Sequence, residues 1–256
     1  MRDQDVERVA IVTGGASGIG LGISRRLAAD GHAVAVLDLN GDAARSAADE
    51  ISSSGAGRAI GVAVDVGNSD QIRTAVGEVQ SRLGPPAILV NSAGMGAVMT
   101  RFLKMSPDLW ERTLRVNLTG VVHLCQALLP GMIEGGWGRI VNISSSSTHG
   151  GQALMSQYVS SKSGLNGLTK CLALEFGPKG VTVNAITPGL IDTPMLQESV
   201  ARGEFGPAGM EGAVSGTPVR RAGYPEDIAA TCSFLCREES GYITGQIIGV
   251  NGGRNT

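Results

Sequence analysis

Short apolar runs alternate with longer helical patterns along the whole chain, and no other feature constrains the fold as much. The runs are continuously apolar rather than alternately apolar and polar, which is typical of strands covered on both faces. We predict strands over residues 9–13, 33–38, 59–65, 87–91, 139–144, 182–186 and 246–250, and helices over residues 19–29, 43–53, 69–83, 107–130, 157–176 and 225–237. This alternation predicts an α/β protein with a Rossmann-type, doubly wound parallel sheet of about seven strands and helices on both faces.

No internal repeat or linker divides the chain, and its 256 residues fit one large domain, so we predict a single domain over residues 1–256. Residues 190–218 break the alternation, because they are rich in glycine and proline and form a stretch that is long for a loop. Since this stretch follows a predicted strand end, where ligands bind in open α/β sheets, we predict that it is a substrate lid. A surface insertion without a role is the alternative.

The composition argues against several classes of protein. Apolar residues make up 42% and charged residues 17%, as in a folded soluble protein. A net charge of −2 and only 4% aromatic residues argue against a nucleic-acid surface. The four cysteines form no Cys-x-x-Cys pair and there are only three histidines, so we expect no metal site and a reducing compartment. Without a signal peptide or an apolar run long enough to span a membrane, we expect a cytoplasmic protein with no membrane partner.

A glycine-rich turn follows the first predicted strand directly and precedes the first helix. It reads Thr-Gly-Gly-Ala-Ser-Gly-Ile-Gly from Thr13 to Gly20. Glycines there let the backbone turn tightly and bring N–H groups, at the positive end of a helix dipole, to a pyrophosphate. A P-loop would need Gly-Lys-Ser or Gly-Lys-Thr, and the chain contains neither. We predict a dinucleotide site that includes Gly14, Ser17, Gly18, Ile19 and Gly20.

Carboxylates end the second and third predicted strands. Asp38 can accept hydrogen bonds from the adenosine ribose hydroxyls and would repel a 2′-phosphate, and no Arg or Lys lies in the glycine-rich turn or beside Asp38 in the sequence. We therefore predict that NAD is preferred over NADP, with a turn or helix cap as the alternative role for Asp38. Asp65, which Val66 follows, could contact adenine or could cap the helix that begins near Ser69.

A tyrosine and a lysine one helical turn apart follow the fifth predicted strand. Tyr158 and Lys162 share one face of the predicted helix over residues 157–176. A phenol has a pKa of about 10 and is a poor base at neutral pH, but a nearby ammonium and a positive nicotinamide ring favour the phenolate. The pair is therefore a candidate general base. One hydroxyl of the four serines from Ser144 to Ser147, at the carboxyl end of that strand, could hold a substrate oxygen.

Together these motifs resemble the short-chain dehydrogenase/reductase family, and the resemblance covers nearly the whole chain. The turn over residues 13–20 has the spacing of the family's compact branch. The segment from Tyr158 to Lys162 matches the Tyr-x-x-x-Lys motif, and Asn91-Ser92-Ala93-Gly94 is similar to the Asn-Asn-Ala-Gly motif, with serine at the second place. The family's catalytic serine lies 13 residues before the tyrosine, and 158 − 13 selects Ser145.

The resemblance implies further site residues and their roles. The family's helix asparagine matches Asn117, and it would position a water that links Lys162 to solvent. Tyr158 would take the proton from the substrate hydroxyl while hydride passes to nicotinamide, and Ser145 would hold the substrate oxygen. Lys162 would lower the pKa of Tyr158 and bind the nicotinamide ribose. The implied cofactor contacts of this half of the chain are Asn91, Ala93, Gly94, Tyr158, Lys162, Pro188, Gly189, Ile191 and Thr193.

NAD-dependent oxidation of a secondary alcohol is our leading interpretation of the sequence. The alternative is a 3-oxoacyl-thioester reductase acting on acyl carrier protein or CoA thioesters, against which Asp38 counts because reductive biosynthesis generally draws on NADPH. A non-catalytic dinucleotide-binding regulatory protein is less favoured, since the catalytic residues are all present. The resemblance also implies a homotetramer with D₂ symmetry. Five methionines beside the expected pocket suggest an apolar small-molecule substrate: Met95, Met99, Met155, Met195 and Met210.

Overall fold

The computed structural model describes residues 7–204 and 209–254. These residues form one seven-stranded sheet in which all neighbouring strands are parallel. The order across the sheet is β3-β2-β1-β4-β5-β6-β7, so the predicted doubly wound Rossmann-type sheet is confirmed. The strands are β1 (Val9–Thr13), β2 (Ala33–Asp38), β3 (Ala59–Ala63), β4 (Pro86–Asn91), β5 (Gly138–Ile143), β6 (Val181–Pro188) and β7 (Ile247–Val250).

Helices cover both faces of the sheet. They are α1 (Gly18–Ala29), α2 (Gly41–Ser53), α3 (Ser69–Leu83), α4 (Pro107–Leu114), α5 (Gly120–Glu134), α6 (Ser147–Gly150), α7 (Ser156–Phe176), α8 (Pro194–Ala201), α9 (Gly209–Ser215) and α10 (Pro225–Cys236). Successive strand residues point to opposite faces, so Ile11 packs in one core layer with α3, α5 and α7, whereas Ala10 and Val12 pack in the other with α1, α2 and α10. Both faces of the inner strands β1, β5 and β6 are buried, which explains their continuously apolar runs, whereas the edge strands β3 and β7 are only partly buried.

The strand order reverses between β1 and β4. The chain leaves β1 toward β2 on one side of the sheet, and β3 returns to β4 on the other side. The loops after β1 and β4 therefore diverge at the carboxyl edge of the sheet and leave a crevice between them. Ligands bind at this position in doubly wound sheets.

The third strand is shorter than the sequence suggested. β3 pairs only with β2, and the last pair joins Asp38 to Ala63. Because its partner strand ends there, the chain leaves the sheet after Ala63. Asp65 therefore lies two residues beyond the strand, in the turn that leads to α3, rather than at the end of the strand.

The helix predicted over residues 107–130 is longer than predicted and is interrupted. A π-helical turn, Arg115–Thr119, separates α4 from α5, and α5 continues through Pro130 because Met132 in its last turns is buried in the core. The stretch Pro107–Glu134 has the length and composition of a membrane span, so our statement that no run is long enough was wrong. In this fold the stretch packs against α3, α7 and β4 as a core helix.

The lid segment, residues 190–218, is not a plain loop. It contains α8 and α9, and residues 205–208 between them lie outside the described residues. Pro194 begins α8, and the Thr193 side chain accepts a hydrogen bond from the Leu196 N–H at 3.3 Å. A threonine cap followed by proline at the first helical position favours helix formation, which the high glycine and proline content concealed.

Candidate active site

A cleft of about 620 Å³ opens at the carboxyl edge of the sheet, over the reversal between β1 and β4. Loops after β1 to β6, together with parts of α1, α4, α7, α8 and the π-helical turn, supply its lining. Neither Asn91 nor Asn117 belongs to that lining. The residues predicted from the sequence that do line it are Gly14, Ser17, Gly18, Ile19, Gly20, Asp38, Asp65, Val66, Ala93, Gly94, Ser145, Tyr158, Lys162, Pro188, Gly189, Ile191 and Thr193.

The glycine-rich turn is tight and lies against the chain that follows β4. Gly14 has a φ of 61°, in the left-handed region, and a Cβ on it would lie 2.8 Å from the Cα of Ala93. A Cβ on Gly20 would lie 2.0 Å from the carbonyl oxygen of Gly14. Ser17 precedes α1 without a side-chain capping bond, so the first N–H groups of α1 lack that partner. This arrangement suits an anionic pyrophosphate.

Asp38 is held beside the glycine-rich turn. Its Oδ2 accepts a hydrogen bond from the Ala16 N–H at 3.3 Å, and its Oδ1 accepts one from the Asn40 N–H at 3.0 Å. Asn40 caps α2, because its side chain accepts from the Ala43 N–H. The helix-cap alternative for Asp38 is therefore excluded, and its turn bond to Asn40 fixes the carboxylate at the edge of the cleft.

Asp65 and Val66 line the cleft next to Asp38. The side chain of Asn68 caps α3, since it accepts from the N–H groups of Asp70 and Gln71. The capping alternative for Asp65 is therefore excluded as well. Its Oδ1 accepts from the Gly67 N–H at 2.8 Å, which orients the carboxyl group within the turn.

Asn91 supports the cleft from below. Its side chain is 2% exposed, and Nδ2 donates to Oδ1 of Asn142 at 2.8 Å, which joins β4 to β5. The side chain thus lies buried beneath the cleft rather than in its lining. Directly after it, the N–H groups of Ser92 and Ala93 both donate to Thr13 Oγ1 at 3.1 Å. These bonds draw the chain after β4 onto the glycine-rich turn.

Asn117 lies in the π-helical turn with its side chain 1% exposed. Its Oδ1 accepts from the Met95 N–H at 2.7 Å, and its Nδ2 donates to the Met95 carbonyl and to Ser161 Oγ, both at 3.2 Å. The amide is thus fully engaged in fixing the backbone at Met95. Only the main chain of Asn117 remains for the predicted contact with a water.

Ser145 and Tyr158 meet at the cleft. Helix α7 begins at Ser156, so Tyr158 lies in its first turn and Lys162 one turn later. The Ser145 hydroxyl acts on the Tyr158 phenol and opposes the rise in its pKa, while Ser145 Oγ lies 2.9 Å from Ser147 Oγ. The neighbouring Ser144 is buried and donates to the Lys162 carbonyl at 3.3 Å. Ser144 and Ser145 both line the cleft, and Ser145 is the one whose hydroxyl affects the pKa of Tyr158.

Lys162 is buried behind the phenol. Its side chain is 5% exposed, Nζ donates to the Ile143 carbonyl at 2.8 Å, and Nζ lies 6.0 Å from the centroid of the Tyr158 ring. Burial lowers the pKa of Lys162 to about 8. Burial also raises the pKa of Tyr158, and the Ser145 hydroxyl only partly opposes this rise.

Replacing Lys162 with methionine is expected to stabilise the folded chain at pH 7. The pKa falls from 10.5 to about 8 on folding, and 2.5 pH units correspond to a penalty of about 3 kcal/mol. Below pH 8 Lys162 is charged in both the folded and the unfolded chain, so burial of the charge destabilises the fold by the full amount. Between pH 8 and 10.5 only the unfolded chain keeps the proton, and the destabilisation falls until it is lost above pH 10.5. Loss of the bond to Ile143 offsets about 1 kcal/mol. We expect a net gain of about 2 kcal/mol at pH 7 by urea unfolding.

The pH dependence separates this effect from simple repacking. At pH 11 both chains are uncharged at this position, so the gain should disappear. The exposed Lys170 on the same helix provides the control, because Lys170→Met should change stability little at either pH. A gain for Lys162→Met that persists undiminished at pH 11 would contradict the assignment.

The Pro188-Gly189 turn ends β6 and leads into the lid segment. The Gly189 N–H donates to the Val250 carbonyl at 3.1 Å, which ties the turn to β7. Ile191 is buried, and the Thr193 hydroxyl donates to the Ile191 carbonyl at 3.3 Å while it caps α8. The predicted residues of this stretch therefore stand where the sheet leads into residues 190–218, for which we predict a lid role.

Two arginines that we did not predict line the cleft. Arg112 on α4 and Arg115 in the π-helical turn are exposed, and the side chain of neither has a hydrogen bond or ion pair with any residue that the structure describes. Their i, i+3 spacing before Asn117 was the only signal in the sequence. The remaining unpredicted lining residues are Leu39, Val64, Ser92, Ala97, Val116, Ile143, Ser144, Leu190, Pro194, Leu196 and Ser199.

Of the five methionines expected near the pocket, Met95 and Met195 line the cleft and the other three do not. Across residues 7–204 and 209–254, no group of three His, Cys, Asp or Glu side chains is arranged to hold a metal ion.

Comparisons with known proteins fit this geometry. A family model described as enoyl-(acyl carrier protein) reductase matches residues 14–255. The chain belongs to the short-chain dehydrogenase/reductase family. As a short-chain dehydrogenase/reductase it is an oxidoreductase that acts on CH–OH groups and uses a nicotinamide dinucleotide.

Relatives of this short-chain dehydrogenase/reductase align over almost their whole length. The chain is 39% identical over 251 residues to (2S)-[(R)-hydroxy(phenyl)methyl]succinyl-CoA dehydrogenase subunit BbsD of Thauera aromatica, in an alignment that covers 97% of this chain and 96% of that protein. The chain is 40% identical over 252 residues to acetoacetyl-CoA reductase of Allochromatium vinosum, in an alignment that covers 96% of this chain and 98% of that protein. A solved structure from Beutenbergia cavernae, assigned as an NAD(P)-dependent gluconate 5-dehydrogenase with NADP at low occupancy, matches 98% of both chains with a TM-score of 0.90 and 30% identity.

Proposed function

We propose that this short-chain dehydrogenase/reductase transfers hydride between NAD and a secondary alcohol or ketone, with Tyr158 as general acid and base. One observation carries the proposal: Ser145, Tyr158 and Lys162 share a single cleft with Asp38. Two strands, β1 and β4, separate the strand that ends in Asp38 from the strand before Ser145. An extended two-part ligand suits this separation.

The residues of the cleft fit a nicotinamide dinucleotide. The glycine-rich turn leaves no room for a Cβ at Gly14 or Gly20 and presents the N-terminus of α1 to a pyrophosphate. Asp38 would hold the adenosine ribose, and Asp65 and Val66 would border the adenine. The nicotinamide half would lie against Ala93, Gly94, Lys162, Pro188, Gly189, Ile191 and Thr193. When bound, the dinucleotide supplies the hydride acceptor or donor.

The chain's own residues handle the proton. Ser145 donates a hydrogen bond to the substrate oxygen and stabilises the charge that develops there. Tyr158 takes the proton from the substrate hydroxyl during oxidation and returns it during reduction. The Lys162 ammonium favours the phenolate and so opposes the effect of burial on Tyr158. The main chain of Asn117, whose side chain is engaged elsewhere, positions a water next to Lys162.

A 3-oxoacyl-thioester reductase is the second candidate function. The two relatives described above are named for CoA thioesters, and the family model is described for an acyl carrier protein substrate. The stretches around Met95 and Met195 add Ala97, Leu190 and Leu196 to the lining. We therefore propose an apolar substrate, whether a simple alcohol or the acyl part of a thioester.

A substrate panel tests both candidates. NADH formation would be measured with cyclic, steroidal and aliphatic secondary alcohols and with 3-hydroxyacyl-CoA thioesters, and each reverse reaction would be measured with NADH and NADPH. Faster turnover of the free alcohols with NAD supports the first candidate, and faster turnover of the thioesters supports the second. Absence of turnover with every member would contradict the proposal.

We propose that the lid segment closes over the substrate. Thr193 Cγ2 lies 3.2 Å from the place of a Cβ on Gly18, and the Met195 sulfur lies 3.0 Å from the place of a Cβ on Gly96. The lid therefore contacts both the dinucleotide side and the opposite side of the cleft. A lid that spans a cleft in this way excludes water from the reacting atoms.

The assembly state is a separate prediction. The apolar stretch Pro107–Glu134 and the long helix α7 present more surface than one sheet face needs, and we propose that they form interfaces of a D₂ homotetramer in the cytoplasm. Light scattering at micromolar concentration should give four times the mass of the 26.2 kDa chain. A mass equal to one chain would contradict this prediction.

A further inference from the structure

The chain between β4 and α4 has little regular structure, yet groups from three distant parts of the chain hold its backbone. We call residues 92–101 the cleft wall, because Ser92, Gly94, Met95 and Ala97 line the cleft. Thr13 and Asn117 hold its first half by the bonds already described. Its second half is held by residues around the start of α7. The wall is therefore fixed at both ends.

Gln157 makes the central bond of that second half. Its side chain is 1% exposed, and Nε2 donates to the Val98 carbonyl at 2.7 Å. Its Oε1 is buried without a hydrogen-bond partner in the structure. Burying an amide with one unsatisfied polar atom lowers the stability of the fold. We therefore expect the hydrogen bond that Gln157 does make to have a role that compensates for this loss.

A strained residue reinforces the same connection. The Leu154 carbonyl accepts from the Thr100 N–H at 2.9 Å, and Leu154 has a φ of 68°. A left-handed conformation is unfavourable for a branched, non-glycine residue, and such strain tends to concentrate at functional sites. Leu154 and Gln157 thus tie the wall to the chain on both sides of the α7 start, directly next to Tyr158.

The lid rests on the same wall. Met195 packs on Gly96, two residues before Val98, with its sulfur 3.0 Å and its Cγ 3.1 Å from the place of a Cβ on that glycine. The wall therefore lies between the helix that carries Tyr158 and the helix that begins the lid. Any shift of the wall at Val98 changes the contact between Met195 and Gly96 and also the width of the cleft beside the Tyr158 phenol.

We propose that Gln157 is a positioning residue that sets the cleft wall at a fixed distance from Tyr158 and so provides the seat on which the lid closes. It acts through Val98 and touches neither cofactor nor substrate. The proposal rests on the proposed role of Tyr158, and it adds a residue whose effect should fall on substrate use and not on dinucleotide binding.

Three variants test this role. Gln157→Leu removes the donor, and we expect kcat/KM for the best substrate to fall roughly ten- to a hundredfold, because small misplacements near reacting groups have effects of that size. The Kd for NADH, from fluorescence titration, should stay within about twofold. Gln157→Asn keeps the amide but has a shorter side chain, so its kcat/KM should lie between those of wild type and Gln157→Leu. Gln152→Leu, at an exposed glutamine before α7, is the matched control and should behave as wild type.

Gln157→Glu gives a signature that a merely structural role would not produce. A buried carboxyl has a raised pKa, and only its protonated form can donate to the Val98 carbonyl. Tyr158 and Lys162 titrate in both proteins, so the ratio of variant to wild-type kcat/KM cancels their contribution. We expect this ratio to fall roughly tenfold between pH 6 and pH 9, while the ratio for Gln157→Leu stays flat.

The outcomes separate this proposal from the proposed function. Wild-type turnover that depends on Tyr158, together with unchanged kcat/KM in folded Gln157→Leu, would overturn the positioning role and leave the function standing. A flat pH ratio for Gln157→Glu would overturn it equally. If Gln157→Leu fails to fold by circular dichroism, the Asn and Glu variants decide the question by the same two criteria.

Discussion

Replacing Tyr158 with phenylalanine is expected to remove nearly all turnover. The variant keeps the ring in the first turn of α7 and loses only the phenol hydroxyl. General acid–base groups contribute on the order of 10²- to 10⁴-fold to rates, and here the phenol is the only proton acceptor that we assign. The rate, measured as NADH formation on the best substrate, should therefore fall about a thousandfold.

Binding controls distinguish lost chemistry from lost structure. The Kd for NADH should change little in Tyr158→Phe, because the glycine-rich turn and Asp38 do not involve the hydroxyl. Tyr242 is fully exposed, so Tyr242→Phe is the matched control and should keep wild-type rates. A Tyr158→Phe enzyme with a substantial fraction of wild-type kcat would show that another group moves the proton.

Asp38 is expected to make NAD the better cofactor by roughly a hundredfold. Its carboxylate should accept hydrogen bonds from the ribose hydroxyls of NAD, whereas the 2′-phosphate of NADP would place like charges a few ångströms apart. Such a pair costs on the order of a few kcal/mol in a partly shielded cleft, and each 1.4 kcal/mol is about tenfold in affinity. Asp38→Ala should lower the NAD to NADP ratio of kcat/KM in two ways, because it weakens the binding of NAD and removes the repulsion of NADP.

A neighbouring carboxylate provides the control for Asp38. Asp42 on α2 is exposed and pairs with Arg45, so Asp42→Ala should leave the ratio almost unchanged. Arg112 and Arg115 are cations in the same cleft that could favour a phosphate. Equal wild-type kcat/KM values for NAD and NADP would contradict the predicted preference. An unchanged ratio in Asp38→Ala would show that groups other than Asp38 set it.

The sequence by itself determined the sheet and the chemistry carried by local spacing. Apolar runs predicted all seven strands, because a parallel sheet buries both faces of its inner strands and leaves no room there for polar alternation. The glycine-rich turn and the Tyr158–Lys162 pair could also be predicted. In each of them the residues lie close together in the sequence, so a single βα turn or one helical turn fixes their relative positions.

Tertiary structure alone decided which groups from distant elements share the cleft. Arg112 and Arg115 approach it only because α4 packs over the crevice, and Asn117 turns its amide onto Met95 rather than toward the cleft. The raised pKa of Tyr158 likewise depends on burial that no spacing reveals. Local spacing specifies the conformation of one element, whereas contacts, desolvation and hydrogen-bond partners arise where separate elements meet, and those depend on the packing of the whole chain.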